Sequence, residues 1–386
     1  MTQIFDFDAI VDRGGTSSTK WEKYRDRDIL PMWVADTDFA IAPAIQQAVI
    51  ERAGHPVYGY TDPPAELIEI IVERMQTLYG WSINPRWLLF LPGVVGALNC
   101  ACRSIGERGN SIYTPSVVYP NISQAPALGD RVNRPVPMTW VDGRQLMDLD
   151  WLEQNATVAG ELLLLCNPQN PGGAVYRRDE LERLAELVVE RDLWVCSDEI
   201  HCELMLDADC PHIPLASLGP EIAQRTITLM APSKTFNLAG MGFSFAIVPD
   251  VKRRQGMLQA RKGIMPYIGP FGFAAAIAAY RDGDEWRRQM CDYLAGNRDF
   301  LIEAINAIDG LKLGPVEATY LAWIDVSELG LEDPAAFFEA AGVGMSPGSE
   351  FGDTDFMRFN FGCPRSRVVE AVERMRQAVE THNRSR

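Results

Sequence analysis

The sequence predicts an α/β protein with a large, mostly parallel seven-stranded-type sheet and a smaller α+β domain. Three observations predict this class. Short apolar runs alternate with helical patterns over residues 85–250, the central runs are almost entirely apolar, and the last part of the chain changes pattern. Alternation of this kind is typical of β-α-β units, and continuous apolar runs are typical of parallel strands that are buried on both faces.

The elements of the large sheet follow from these runs. The predicted strands lie at residues 87–93, 110–115, 161–166, 193–197, 226–230 and 243–250. A helix is predicted to follow the first strand. Another is predicted at residues 178–191, where Leu181, Leu184, Leu187 and Val188 form one apolar stripe and charged residues occupy the other positions.

The C-terminal part of the chain predicts a different arrangement. A helix-rich stretch at 284–308 precedes two strand-like stretches within 311–326 and 356–362, and an amphipathic helix follows at 366–382. We therefore divide the chain into three parts. Residues 1–40 form an N-terminal segment that joins the small domain, residues 41–283 form the large ligand-binding domain, and residues 284–386 form the small domain.

Composition excludes several classes of function. The chain has 386 residues with 52 acidic against 36 basic side chains, a formal net charge of −16, so nucleic acid and anionic membranes are not expected partners. Small molecules are the expected ligands. The N-terminus has no signal-like segment and no apolar run approaches the roughly 18 residues that span a bilayer, so a cytoplasmic location is expected.

The cysteines favour a reduced, buried state. Eight are present without any C-x-x-C pair, and several fall inside apolar runs. The nearest approach to a metal cluster is formed by His201, Cys202, Cys210 and His212, whose spacing matches no zinc pattern. No metal site is therefore expected.

Polar residues follow several predicted strands, where open α/β sheets bind their ligands. Gly93 precedes a helix that begins with Val94 and Val95, a place where free N–H groups would bind phosphate, although Pro-Gly before a helix is also ordinary turn chemistry. Asn167 and Asn170 follow the strand at 161–166, within two Asn-Pro steps that favour an extended loop.

Two further strand ends bear charged residues. Asp198 ends a strand that should be buried, where a carboxylate is costly without a cation, although a helix cap or a structural ion pair is an equal alternative. Ser233 and Lys234 follow the next strand. The chain has only six lysines: Lys20 and Lys23 fall in a charged N-terminal stretch, and only Lys234 follows an apolar strand of the main sheet.

These groups match the functional groups of one cofactor. Pyridoxal 5'-phosphate carries an aldehyde that a lysine captures, a ring nitrogen that an aspartate keeps protonated, a phenolic oxygen that accepts hydrogen bonds, and a phosphate. Lys234, Asp198, Asn170 and the helix after Gly93 are the respective candidates.

The whole chain resembles a known family. The stretches PMWVADTDF (31–39), SDEIH (197–201) and SKTFNLAG (233–240) resemble the fold-type I pyridoxal-phosphate enzymes of the class I/II aminotransferase superfamily. The resemblance is narrower still to the MalY/PatB group of cystathionine beta-lyases, and it extends nearly from end to end.

The resemblance implies roles for individual residues around the cofactor ring. It implies that Lys234 is the Schiff-base lysine, that Asp198 partners the pyridine nitrogen, and that Asn170 donates to the phenolic oxygen. His201 is expected close by, where many aminotransferases carry a tyrosine. Tyr119 is expected to stack on the ring, although its sequence context equally fits a core residue.

The resemblance also implies contacts to the phosphate. Gly93, Val94, Val95 and Ser233 would surround it, and Tyr60 would reach the phosphate of a neighbouring subunit's cofactor, which implies a homodimer with shared active sites.

The substrate is expected to meet three further residues. Arg358 would bind its α-carboxylate, a role for which the planar guanidinium fork is suited, although an arginine in a half-buried strand is more often part of a structural ion pair. Trp33 and Ala35 would line the substrate pocket.

The sequence departs from the wider superfamily at two phosphate-contact positions. Many members place a serine three residues before the lysine and an arginine eight residues after it, where this chain has Ala231 and Gly242. The phosphate would then depend on the helix N-terminus, Ser233 and Tyr60.

Three functions are compatible with these residues. The first is a carbon-sulfur beta-lyase that cleaves cystathionine, cystine or another cysteine S-conjugate to pyruvate, ammonia and a thiol. The second is an aminotransferase acting on an amino acid and a 2-oxo acid. The third, a regulator or scaffold that keeps the fold alone, is disfavoured because all candidate site residues are present.

Overall fold

The computed structural model describes residues 3–385. In chain order the strands of this part of the chain are β1 (Leu30–Met32), β2 (Leu88–Leu91), β3 (Ser111–Pro115), β4 (Val132–Val136), β5 (Met138–Val141), β6 (Arg144–Met147), β7 (Leu162–Cys166), β8 (Trp194–Asp198), β9 (Thr226–Met230), β10 (Ser244–Ile247), β11 (Lys312–Leu313), β12 (Leu321–Asp325), β13 (Val343–Pro347) and β14 (Phe356–Asn360).

Helices separate most of these strands. The α-helices are α1 (Thr19–Glu22), α2 (Pro43–Gly54), α3 (Ala65–Tyr79), α4 (Val94–Ser104), α5 (Pro120–Leu128), α6 (Leu149–Asn155), α7 (Arg178–Glu190), α8 (Pro220–Arg225), α9 (Val251–Ala260), α10 (Pro270–Asp282), α11 (Asp284–Asn306), α12 (Pro334–Ala340) and α13 (Arg365–Ser385). Short 3₁₀ turns lie at Pro85–Trp87, Leu215–Leu218, Ala239–Met241, Ser327–Leu329 and Gly348–Glu350.

The large sheet has seven strands in the order β2-β10-β9-β8-β7-β3-β4, and only β10 runs antiparallel to its neighbours. The predicted α/β class with a mostly parallel sheet is therefore confirmed. Each predicted strand of this sheet corresponds to an observed one. The edge strand β4 was not predicted, because its sequence VNRPV is polar and contains a proline.

The core packs on both faces of this sheet. Along β7, Leu162 and Leu164 pack with residues of α4, α5 and α9, whereas Leu163 and Leu165 pack with residues of α6, α7 and α8. This alternation of faces explains why the strand is apolar throughout. The stripe predicted for α7 is confirmed, since its four apolar residues are all buried.

The smaller five-stranded sheet has the order β1-β13-β14-β12-β11. The N-terminal strand β1 pairs in parallel with β13 near the other end of the chain. Strand β1 was not predicted, since it has only three residues and its pairing is remote in sequence. Strand β13 was not predicted, since its sequence VGMSP contains a glycine and a proline, which are depleted in strands. The pairing of β1 joins the N-terminal segment to the smaller sheet. The domain boundaries at residues 40 and 283 stay a prediction.

Within residues 3–385, no helix is long and apolar enough to cross a membrane. All eight cysteines are free and buried.

Candidate active site

The carboxyl ends of three neighbouring parallel strands converge on one cavity. Asn170 follows β7, Asp198 ends β8, and Ser233 and Lys234 follow β9. All four residues line a cavity of about 380 Å³. Because β7, β8 and β9 are adjacent and parallel, residues far apart in sequence meet at one edge of the sheet.

Nearly all predicted site residues lie in the wall of this cavity. They are Trp33, Ala35, Gly93, Val94, Val95, Tyr119, Asn170, Asp198, His201, Ser233, Lys234 and Arg358. Tyr60 is the exception. It is 92% exposed and outside the cavity wall, and its ring packs edge-on against Tyr267 at 5.4 Å between centroids. Its predicted contact with a neighbouring subunit's cofactor stays a prediction.

The amine of Lys234 donates a hydrogen bond to the carbonyl oxygen of Ala35 at 2.7 Å. Burial lowers the pKa of Lys234 to about 8, and the guanidinium of Arg358 acts in the same direction. The side chain forms no ion pair within residues 3–385. With this pKa, roughly a tenth of the molecules carry the neutral amine at pH 7, far more than for a lysine with the ordinary pKa, and a nucleophile or base requires that neutral form.

Asp198 is buried, and one of its carboxylate oxygens accepts the backbone N–H of Ile200 at 3.2 Å. Burial raises the pKa of Asp198 to about 7, an effect that this N–H and the ammonium of Lys234 oppose. A buried carboxylate with so little compensation favours a bound cation.

His201 is buried in the turn that follows β8 and lines the same cavity, and neither of its ring nitrogens has a hydrogen-bond partner. Burial lowers the pKa of His201 to about 3, and Lys234 contributes in the same direction. The imidazole is therefore neutral. The His201 and Tyr320 rings are nearly perpendicular, with centroids 6.4 Å apart.

Arg358 extends from the middle of β14. Its guanidinium donates to the side-chain oxygen of Asn170 at 2.9 Å, to the carbonyl of Trp33 at 2.7 Å and to the hydroxyl of Ser346 at 3.2 Å. It forms no salt bridge in the described part of the chain, so the structural ion pair considered as an alternative is not observed. Burial lowers the pKa of Arg358 to about 10. An anion would satisfy this buried cation.

The other end of the cavity is a helix N-terminus. Gly93 caps α4 with a φ of 141°, a conformation that residues with a Cβ rarely adopt. Its own N–H is engaged by the hydroxyl of Ser244 at 3.2 Å. The N–H groups of the first helical turn, beginning with Val94 and Val95, lack partners within the helix and are suited to an anion.

The departures from the superfamily leave this end without a cation. Gly242 lies in the cavity wall, whereas Ala231 is buried in the core beside it. Within the part of the chain that the structure describes, the cationic side chains of the wall are Lys234 and Arg358.

The N-terminal segment that follows β1 of the smaller sheet forms part of the cavity wall. Its backbone carbonyls at Trp33 and Ala35 accept hydrogen bonds from Arg358 and Lys234, and Tyr320 adds a bond of 3.0 Å to the Ala35 carbonyl. Lys20 contacts the same segment further along the chain, at Asp36 and Asp38.

Lys20 itself is fully buried and pairs with Asp38 at 3.1 Å and with Asp36 at 3.7 Å. Burial raises the pKa of Asp38, but Lys20, Trp21 and Arg13 together hold that pKa below its usual value. The location of Lys20 in a charged N-terminal stretch gave no indication of this burial.

Sequence reasoning missed other residues of the wall. Ser346, Glu350 and Phe351 come from the end of β13 and the turn after it. No motif marks them, and only the pairing of β13 with β14 brings them beside Arg358. Conversely, Asn167 lies outside the wall, where its side-chain oxygen accepts the N–H of Tyr176 at 3.3 Å.

The alternative metal cluster is not formed in the described residues. Within residues 3–385, no group of three or more His, Cys, Asp or Glu side chains is arranged to hold a metal ion. His212 instead pairs with Glu199 at 2.8 Å.

The residues of the cavity fit pyridoxal phosphate on their own chemistry. A carboxylate that requires a cation, an imidazole with two unpartnered nitrogens, an amine with a lowered pKa and a helix N-terminus surround one space. These groups complement, respectively, a protonated ring nitrogen, a polar ring substituent, an aldehyde and a phosphate.

This combination of a mostly parallel seven-stranded sheet and a strand-end lysine, aspartate and asparagine defines a fold-type I pyridoxal-phosphate enzyme. The chain belongs to the family described as aminotransferase class I and II, whose model matches residues 28–375.

Individual relatives are similar over nearly the full length. The chain is 34% identical to cystathionine beta-lyase PatB of Bacillus subtilis, over 97% of this chain and 99% of PatB. Among solved structures, OvoB is 46% identical with a TM-score of 0.93, covering 97% of this chain and 99% of OvoB. Cystalysin of Treponema denticola, which contains pyridoxal 5'-phosphate, is 28% identical with a TM-score of 0.93, covering 98% and 100%.

Proposed function

We propose that the protein is a pyridoxal-phosphate-dependent carbon-sulfur beta-lyase that cleaves cystathionine or related cysteine S-conjugates. The observation that carries this proposal is the meeting of Lys234, Asp198 and Arg358 in one cavity. The similarity to PatB, a cystathionine beta-lyase, supports this reaction over amino transfer. Removal of the α-proton, cleavage of the Cβ–S bond and addition of one water give a thiol, pyruvate and ammonia.

The cofactor bound here would supply the electron sink for the charge that develops at the substrate's α-carbon. Asp198 would hold a proton on the ring nitrogen, since an ionised buried carboxylate favours a cation beside it. Asn170 and the neutral His201 would contact the phenolic oxygen, and Tyr119 would pack on the ring. The first turn of α4 and Ser233 would bind the phosphate.

The substrate would be oriented by Arg358. Its guanidinium already directs donors toward Asn170 and Ser346, and a carboxylate would accept two parallel hydrogen bonds from the same fork. Such a clamp would orient the substrate relative to Lys234, which lines the same cavity.

Lys234 would move the proton. Because burial lowers its pKa to about 8, the free amine is able to accept the α-proton near neutral pH. The Ala35 carbonyl accepts a hydrogen bond from that amine in this structure and would orient it between proton transfers.

The proposal includes a homodimer with shared active sites. Tyr60 is almost fully exposed, and other large apolar side chains near it, Val57, Tyr58 and Tyr267, are more than half exposed. A surface of this kind favours a protein partner. A cytoplasmic location is supported by the free, buried cysteines of the described chain.

A product assay tests the function. The purified holoenzyme is incubated with cystathionine, with and without a 2-oxo acid. Pyruvate, homocysteine and ammonia formed in equal amounts without the oxo acid are expected. Amino transfer that requires the oxo acid, with none of these three products, would assign the enzyme to the aminotransferase alternative.

A further inference from the structure

The mouth of the cavity contains a carboxylate that neither the cofactor nor the α-carboxylate clamp uses. Glu350 lies in the wall, and its side chain is exposed. Within residues 3–385, no hydrogen bond or ion pair involves this carboxylate. The other charged residues of the wall, Lys234, Asp198 and Arg358, already have roles in the proposed function.

The backbone that carries Glu350 is fixed. It ends the 3₁₀ turn Gly348–Glu350, and the carbonyl of the next residue, Phe351, accepts the N–H of Val118 at 3.0 Å. Gly352 has a φ of 106° and lies so close to the Ser116 carbonyl that any Cβ there would collide with it. The turn therefore holds Glu350 at the mouth, while its side chain remains free to meet a ligand.

Glu350 and Arg358 are within electrostatic reach of each other without forming an ion pair. Burial lowers the pKa of Arg358, and the carboxylate of Glu350 is among the groups that oppose this effect. The ring of Phe351, the residue after Glu350, packs on the guanidinium of Arg358, whose Cζ lies 4.5 Å from the ring centroid. The cavity thus has a cationic inner clamp, an apolar ring beside it and an anionic mouth.

A substrate clamped at Arg358 by its α-carboxylate has one remaining variable part, the group on sulfur. Cationic side chains are absent from the wall apart from Lys234 and Arg358, among the residues that the structure describes. Among the charged wall residues that the structure describes, Glu350 alone has no role in binding the cofactor or the α-carboxylate, so the group on sulfur would meet its carboxylate. An unpaired carboxylate attracts a cation and repels an anion.

Resting on the proposed lyase function, we propose that Glu350 is a specificity-determining residue that selects cysteine S-conjugates whose leaving thiol carries a cationic group such as an ammonium.

Three cysteine conjugates of similar size test this selectivity. S-(2-aminoethyl)-L-cysteine is cationic at the distal end, S-(2-carboxyethyl)-L-cysteine is anionic, and S-propyl-L-cysteine is neutral. The readout is kcat/KM for pyruvate release by the holoenzyme. Because the three thiols differ in acidity, the informative quantity is how the cationic-to-anionic ratio changes between wild type and E350Q.

We expect E350Q to lower the cationic-to-anionic ratio by about tenfold, since one partly exposed charge attracts one ligand and repels the other. Its kcat/KM for S-propyl-L-cysteine should stay within about twofold of wild type. Raising the salt concentration should shrink the wild-type ratio but leave that of E350Q nearly unchanged.

D355N is the matched control. Asp355 is exposed in the same loop, has no side-chain hydrogen bond to a ligand-facing group and lies outside the cavity wall. Its removal changes the net charge equally and should leave the ratio within about twofold of wild type.

Two results would overturn the selectivity. The first is a cationic-to-anionic ratio that is unchanged in E350Q. The second is a fall of that ratio in D355N as large as in E350Q, which would attribute the effect to the net negative charge of the protein. If wild type releases pyruvate from none of the three conjugates, the lyase function itself fails. Cleavage of S-propyl-L-cysteine with an unchanged ratio in E350Q would instead refute the role of Glu350 alone.

Discussion

Two lysines of this chain differ in burial and in the charges around them. Lys20 is fully buried and neutralised by Asp38 and Asp36 behind the N-terminal segment. Lys234 lies in the cavity wall with a carbonyl as its hydrogen-bond partner and no carboxylate, and its pKa is lowered to about 8. Removing one member of a buried ion pair leaves an uncompensated charge and destabilises the fold, whereas a lysine without a carboxylate partner has a lowered pKa and is available as a nucleophile or base. The following changes test this contrast.

The largest effect is expected at Lys234. K234A should lower kcat on cystathionine by about 10³-fold or more, because it removes one amine that would both bind the cofactor and act as the base. Stability should change little, since the replaced side chain has no ion pair in the described residues. Steady-state kinetics and urea unfolding of the same preparation measure both. A variant with more than a tenth of wild-type kcat would refute the assignment.

The reverse pattern is expected at Lys20. K20M leaves the buried Asp38 with Arg13 and Arg367 as its remaining ion-pair partners and Trp21 as a neutral hydrogen-bond donor, and we expect a loss of about 2–3 kcal/mol in the free energy of unfolding. The folded variant should keep kcat within a few-fold of wild type. Urea unfolding measures the loss.

The control for this change is K23M. The Lys23 side chain is 44% exposed, and its nearest ion-pair contact, to Glu339, is 3.9 Å long. Its replacement should cost less than about 0.5 kcal/mol. Equal losses in the two variants would contradict the structural role of Lys20.

These two regions also differ in how much the sequence reveals. Lys234, Asp198 and Asn170 each follow a continuous apolar run, so the parallel-sheet rule alone brings them to one edge. The partners of Lys20 lie 16 and 18 residues away in a segment without regular structure. No periodic pattern predicts that such a segment folds back, so the burial of Lys20 becomes visible only in three dimensions.

The substrate side of the cavity shows the same limit. Arg358 was found by resemblance, since an arginine inside a strand does not indicate a ligand on its own. Ser346 and Glu350 have no local signal, because they reach the cavity only through the pairing of β13 with β14 and the turn that follows. The residues of a site that is built from several segments remote in sequence can be identified only from the tertiary structure.

Arg358 tests whether this wall binds the substrate. R358K keeps the charge but loses the planar fork that reaches Asn170, Trp33 and Ser346 together. We expect KM for cystathionine to rise about 10- to 30-fold with a smaller change in kcat. Initial rates over a range of substrate concentrations separate the two constants. An unchanged KM would show that the carboxylate binds elsewhere.

The smallest effect concerns Asp198 in protein stripped of cofactor. Burial raises its pKa to about 7, so this group's contribution to stability is fully present below its ordinary pKa near 4 and is lost as pH rises through 7. Because asparagine does not ionise, D198N does not lose this stability as the pH rises. The stripped variant should therefore gain about 1 kcal/mol over stripped wild type at pH 8, and less at pH 5.

Thermal unfolding at the two pH values, read as the difference between variant and wild type, checks this prediction. If stripped D198N is less stable than stripped wild type at pH 8, the ionised Asp198 carboxylate must be stabilised by its surroundings, which would contradict this account of the site.

The central claim is that Lys234 is the residue that binds pyridoxal phosphate. Borohydride reduction of the purified holoenzyme, followed by digestion and mass spectrometry, tests it most directly. We expect a single pyridoxyl-phosphate adduct on the peptide that contains Lys234, and loss of both the adduct and the visible absorption in K234A. An adduct on any other lysine, or retention of the absorption in K234A, would contradict the account.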